Sequence, residues 1–223
     1  MKMKTMQQIA QTITMQTLDV RYTAKIPVQT RSKIRFNKIL TVAEEMVVAD
    51  GVDAISPHKI AKRAQIPPAS VYQYFPSMGA LFSTMAEMHF VKAFDLVNQT
   101  LENTSIRCWQ DLAEILIDGA YDFYNKDKIS EILFLGIYLA PGVRELSAQR
   151  LSRFGVWYAE KFALLYKKSD LELLPEKLSI CIEVMKGVYI RCLNVHGELK
   201  PAYKEEARIL VMNYLQDFFQ KID

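Results

Sequence analysis

Proline lacks a backbone donor, so it opens or ends helices and rarely sits inside one. The eight prolines of this 223-residue chain stand at positions 27, 57, 67, 68, 76, 141, 175 and 201. Most fall between runs whose apolar residues recur at steps of three and four, the period of an amphipathic helix. Only eight glycines add further breaks. Long helices with short connections are therefore expected, in an all-α chain. Half of the residues are hydrophobic, enough for one large domain or two small ones.

The first helix is expected from Arg31 through "RSKIRFNKILTVAEEMVVADG". Phe36, Ile39, Leu40, Ala43, Met46 and Val47 make one apolar face, and Gly51 is placed to end it. Its opening turns carry Arg31, Lys33, Arg35 and Lys38. Cations there oppose the helix dipole; a nearby phosphate backbone accounts for them, and so does an ordinary solvated face. Residues 1–90 hold 11 Lys and Arg against 6 Asp and Glu, a charge of +5, whereas residues 91–223 hold 17 against 19, or −2. A polyanion would meet the first part. Residues 1–30 are rich in Thr, Gln and Met and are expected to form a flexible N-terminal arm.

Next comes "SPHKIAKRAQIPPASVYQYFPSM". Ser56 is a good N-cap and Pro57 a good first helical residue. Ile60, Ala61 and Ala64 form a small apolar stripe, leaving Lys59, Lys62 and Arg63 outward. A short turn through Gln65 leads to a second short helix from Pro68, with Val71 and Phe75 inward. The two alanines permit a close crossing. This is a helix-turn-helix pattern, whose second helix enters the DNA major groove.

The stretch "ILTVAEEMVVADGVDAISPHKIAKRAQIPPASVYQYFPSMGALFSTM" resembles the N-terminal DNA-binding domain of TetR-family transcriptional regulators over about residues 33–88. The resemblance implies that Ala69, Ser70 and Gln73 approach base edges, that Tyr72 and Tyr74 contact phosphates or thymine methyls, and that Ser56 contacts a phosphate. Arg35 and Lys59 join them as cationic candidates. Side-chain chemistry agrees, because glutamine can pair bidentately with adenine and hydroxyls bond phosphate oxygens. Packing of Tyr74 on a neighbouring helix is the competing reading. One departure stands out: the family usually opens its fourth helix with Lys-Glu, where this chain has Met78-Gly79.

Further on, six more helical runs are expected, giving a helix-turn-helix domain at 31–77 and a six-helix regulatory and dimerisation domain at 78–223. Trp109, Tyr121, Tyr124, Phe134, Tyr138, Trp157, Tyr158 and Phe162 concentrate aromatics in the middle helices. They are candidates for an effector pocket, or for ordinary core. Asp118 and Asp122 could attract a cationic ligand, although solvent exposure explains them equally. The resemblance implies that the last two helices pair with their copies in a homodimer. Leu178, Ile182, Met185, Tyr189, Leu210, Tyr214, Leu215 and Phe218 are the candidate interface residues.

Catalysis finds little support. No phosphate-binding glycine loop or serine elbow occurs, and the three histidines are scattered. Cys192 and His196 have a helical i,i+4 spacing, but no further ligand joins them, so no metal site and no cofactor are expected. Three scattered cysteines do not make a disulfide framework. No signal-like or membrane-spanning run occurs, which leads one to expect a soluble, cytoplasmic protein. The expected function is a repressor that binds a palindromic operator in double-stranded DNA and releases it for a small hydrophobic or aromatic effector. A non-specific DNA organiser, or a regulator whose second domain binds protein, are the alternatives.

Overall fold

The computed structural model describes residues 22–136, 141–166 and 171–220; for 141–148 and 165–166 it describes the backbone alone. Nine α-helices and no strand occur among the described residues. None of these helices is long and apolar enough to cross a membrane. The chain divides into two compact units, one ending at Thr84 and the other beginning at Met85.

The first unit holds α1 (Thr30–Asp50), a 3-10 turn, α2 (Pro57–Ala64), α3 (Pro68–Tyr74) and the opening of α4 (Met78–Asn103). The apolar stripe of α1 is buried as its spacing requires, with Val42 added to the expected residues. Gly51 ends the helix at φ 83°, a conformation that costs glycine little. Its N–H donates to the Val47 carbonyl at 3.0 Å. The Ser56 hydroxyl accepts from the Lys59 N–H at 3.3 Å, capping α2 with Pro57 in its first turn. Gln65 then turns the chain at φ 54°, and Ile66 N–H reaches back to Ala61 at 3.0 Å. Ile60, Ala61 and Ala64 are wholly buried, as two closely crossing helices demand.

The second unit comprises the rest of α4 with α5 (Trp109–Lys126), α6 (Lys128–Leu135), α7 (Pro141–Tyr166), α8 (Leu174–His196) and α9 (Pro201–Phe219). Helix α6 ends at Leu135 with Gly136 as its cap. Helices α7 and α8 approach through Gly155, where a Cβ would lie 2.4 Å from the Pro175 carbonyl. Ser179 Oγ donates to the Leu151 carbonyl at 3.3 Å across the same crossing. Ion pairs Lys204–Asp118 (2.6 Å) and Arg208–Glu114 (2.8 Å) join α9 to α5.

Two polar braces hold α4 inside this unit. Buried His89 places Nδ1 2.5 Å from Asp127 Oδ2, and Ser130 Oγ donates to the same carboxylate at 2.9 Å. Burial would raise the Asp127 pKa, but the hydrogen bond and charge of His89, with Ser130, outweigh it and hold the carboxyl below its usual range. Arg150 of α7 pairs with Glu87 at 2.5 Å. Both braces sit one turn or less from the helix face that lines the interior cavity described below.

Candidate nucleic-acid interface and interior cavity

Helix α3 is only seven residues long and could not persist in water alone. It is held from α1. Phe36 stacks on Phe75 at 4.8 Å between centroids and meets the edge of Tyr74 at 5.7 Å. Val71 and Phe75 are buried, as expected, but so are Tyr74, at 4 % exposure, and Ser70, at 8 %. Ser70 is thus turned inward rather than toward DNA as expected, and of the two readings of Tyr74 the packing on a neighbouring helix is the one that holds. A helix so short needs a wider apolar face than two residues supply, and Tyr74 completes the seat on Phe36.

What α3 leaves outward is Pro68, Ala69, Tyr72 and Gln73, with Tyr72 45 % exposed. His58 of α2 meets the Tyr72 ring edge-on at 6.2 Å, which restricts that ring. Beside them, Ser56 is half-buried and spends its hydroxyl on the α2 cap. Exposed Lys59 folds its ammonium onto the Ala54 carbonyl at 2.6 Å. Arg35 is half-buried, and Lys62 and Arg63 are exposed, the latter 3.8 Å from Glu45. The surface therefore carries one amide, one phenol and several cations, the set that reads base edges and backbone phosphates.

The Met78-Gly79 departure has a structural reason. A Cβ on residue 79 would lie 2.6 and 2.9 Å from ring carbons of Tyr22, so that ring holds its present place on the start of α4 because residue 79 is glycine. Just beyond, Lys25 N–H donates to the Tyr74 carbonyl at 2.8 Å and satisfies a group that the end of α3 leaves open. Ser77 Oγ accepts from Ala80 N–H at 3.0 Å and caps α4. Gly79→Ala is expected to stabilise the protein by about 0.5–1 kcal/mol in a Tyr22→Ala background, through helix propensity. In the wild-type background that gain is expected to vanish or reverse. Thermal denaturation of the four proteins in the cycle checks this.

In the second unit an apolar cavity of about 60 Å³ lies among α4, α5, α6, α7 and α8. Of the aromatic residues expected around a pocket, Tyr124 and Phe134 line it. The others build core. Trp109 and Phe162 stack on Phe219 at 5.0 and 5.6 Å. Trp157 packs on Phe94 at 4.0 Å, and the Tyr158 hydroxyl donates to the Leu112 carbonyl at 2.5 Å. Tyr121 meets Tyr189 edge-on at 5.9 Å. Tyr138 lies outside the described residues. Sequence reasoning missed Phe90, Phe123, Phe154 and Lys186, which line the cavity. The overlooked signal was small residues: Ala93, Gly119 and Ala120 on facing helices leave the space.

The carboxylates weighed as cation attractors are engaged elsewhere, Asp118 with Lys204 at 2.6 Å and Asp122 with Lys126 at 2.7 Å. Cys192 caps the α8–α9 turn, accepting from Lys200 N–H at 3.2 Å, and His196 meets the Tyr203 ring. Most expected dimer residues are interior too. Leu178, Met185, Tyr189 and Leu215 are wholly buried within the single chain, while Ile182 and Phe218 are nearly so. Leu210 remains 48 % exposed and Tyr214 half-buried. The amphipathic period identified the inward face of α8 and α9, whereas the outward face carries Ile180, Val195 and Leu210.

Comparison with known proteins follows the same division. Residues 39–85 match the model of the family described as bacterial regulatory proteins, tetR family. No curated protein matches the chain. Among solved structures it is similar to a TetR-family transcriptional regulator from Streptomyces coelicolor, with TM-score 0.62 and 21 % identity over 84 % of this chain and 98 % of that one. A transcriptional regulator from Aquifex aeolicus VF5 gives TM-score 0.53 and 21 % identity, covering 80 % and 98 %. The multidrug binding protein EbrR, complexed with imidazole, gives 0.59 and 20 % identity, covering 85 % and 97 %. Residues 39–85 thus carry the N-terminal domain of the tetR family of bacterial regulatory proteins, and the helical fold around it is similar to that of solved TetR-family regulators.

Proposed function

We propose that the protein is a homodimeric repressor whose α3 reads a palindromic operator and whose interior cavity takes a small hydrophobic effector. The observation that carries the DNA reading is the outward triplet Ala69, Tyr72 and Gln73 on a short helix seated by Phe36. Gln73 reads a base, and Tyr72 with the cations Arg35, Lys59 and Lys62 meets phosphates. The domain that does this ends near residue 77, and the regulatory part follows. Such a protein acts in the cytoplasm, where bacterial DNA lies.

Dimerisation supplies the specificity that one seven-residue helix lacks, because a two-fold pair reads two half-sites about 34–36 Å apart. The contact is made by the exposed apolar residues of α8 and α9, Ile180, Val195 and Leu210, continuous with Tyr214. Effector binding is supported by the cavity against α4 and by the likeness to EbrR, a multidrug binding protein seen with imidazole. A ligand there separates α4 from α7, and α4 continues into the DNA-binding unit, so the ligand disfavours the operator-bound state.

The test is selection of bound duplexes from random DNA, followed by sedimentation of the wild type and of Leu210→Lys. Enrichment of a palindrome, and a monomeric variant with at least tenfold weaker binding to it, are expected. Salt-dependent binding with no enriched sequence would instead favour the non-specific organiser.

A further inference from the structure

The lining of the cavity among α4 to α8 includes one charged side chain. Lys186 of α8 is the sole charged residue among the described residues that line it, and it is only 8 % exposed. Lysine is almost never buried to that extent unless paired, because its ammonium gives up water for nothing. Its ammonium lies 3.3 Å from Glu183 Oε1, three residues earlier on the same helix, on a side chain 56 % exposed. A pair of that kind contributes little. It leaves two of the three ammonium donors unassigned.

Tyr124 is a second polar group of the lining. Its phenol is pushed up by burial first and then by the Glu183 carboxylate and Tyr189. A phenol kept protonated offers a donor. The remaining lining is rings and small alkyl groups, Phe90, Phe134, Phe154 and Val97 among them. One ammonium and one phenol in a lining otherwise of rings and alkyl groups match one class of small molecule.

Resting on the effector-pocket reading above, we infer that the ligand is an aromatic or aliphatic acid whose carboxylate takes the place of Glu183 on Lys186 and Tyr124. Its apolar body lies between Phe90, Phe134 and Phe154. The free volume, about 60 Å³, is less than the roughly 150 Å³ cavity that admits benzene. A ring-bearing acid therefore enters by displacing lining side chains, and Phe90 and Phe123, both half-exposed, are the ones with room to yield. Phe90 is on α4, so a carboxylate anchored on α8 drives its own ring against the helix that reaches the DNA-binding unit. Amines meet a like charge at Lys186, and neutral amides lose the charge-assisted bond.

Calorimetric titration of the full chain tests this with benzoic and naphthoic acids, their primary amides and the corresponding arylmethylamines. The acids are expected to bind at least tenfold more tightly than the amides, and the amines not at all. Lys186→Met keeps the apolar stem and is expected to bring acid affinity down to that of the amide, leaving amide affinity unchanged. Glu183→Gln, which frees the ammonium without touching the cavity, is expected to tighten acid binding severalfold. Amides that bind as well as acids, or an acid preference that survives in Lys186→Met, overturn the head-group assignment and leave the pocket standing. No binding by any of the compounds overturns the pocket reading together with the proposal.

Discussion

Gln73→Ala is expected to lower affinity for the duplex selected by the wild type roughly 5- to 150-fold, the equivalent of the ~1–3 kcal/mol that a bidentate amide–base pair supplies. On a scrambled duplex of equal length its affinity is expected to stay within about twofold. Gln73 is exposed on α3 and carries the one side-chain amide of that helix, so nothing else there can pair in two directions with an adenine edge. Gel-shift titration at fixed salt checks both numbers. Equal losses on the two duplexes would sink base readout at this position. Lys62→Ala serves as the contrast, with similar weakening on both duplexes and a shallower salt dependence.

A larger effect is expected from Phe36→Ala. Truncating a buried phenylalanine costs about 3–5 kcal/mol, a large part of the 5–15 kcal/mol that holds a typical domain. Here the ring has a second duty, because it is the seat shared by Tyr74 and Phe75. Without it α3 keeps Val71 and Ser70 as inward contacts, too few for seven residues. Operator binding is expected to be lost, with a new low-temperature step in the melting curve. The second unit contains none of these residues, so its ligand titration should persist. Full operator affinity in Phe36→Ala would show that α3 does not depend on this seat.

Much of this was legible from residue order. Ser56-Pro57 opened α2 and Gly51 closed α1, because caps and breakers act within a few residues. The outward position of Gln73 and Tyr72 also followed from spacing. Tyr74 did not, since its place depends on Phe36, 38 positions earlier and on another helix. An amphipathic ring satisfies either solvent or core, and the local pattern holds no information about which neighbour arrives. Nor did the contact of Tyr22 with Gly79, which joins residues 57 positions apart.

The second unit shows the same boundary more sharply. Helical period alone told that Leu178, Met185 and Tyr189 share a face of α8, but a shared apolar face is equally consistent with a core and with a dimer seam. Tertiary packing assigned it to the core and left Ile180, Val195 and Leu210 outside. Of the described aromatic candidates only Tyr124 and Phe134 line the cavity, since large rings fill space and the cavity survives where Ala93, Gly119 and Ala120 fail to fill it. What the sequence determined by itself was the helices, most of their ends and the outward residues of α3, all set by interactions within a turn or two. Only the tertiary structure decided which buried faces meet, and so which lysine, Lys186, stands at the edge of an empty space.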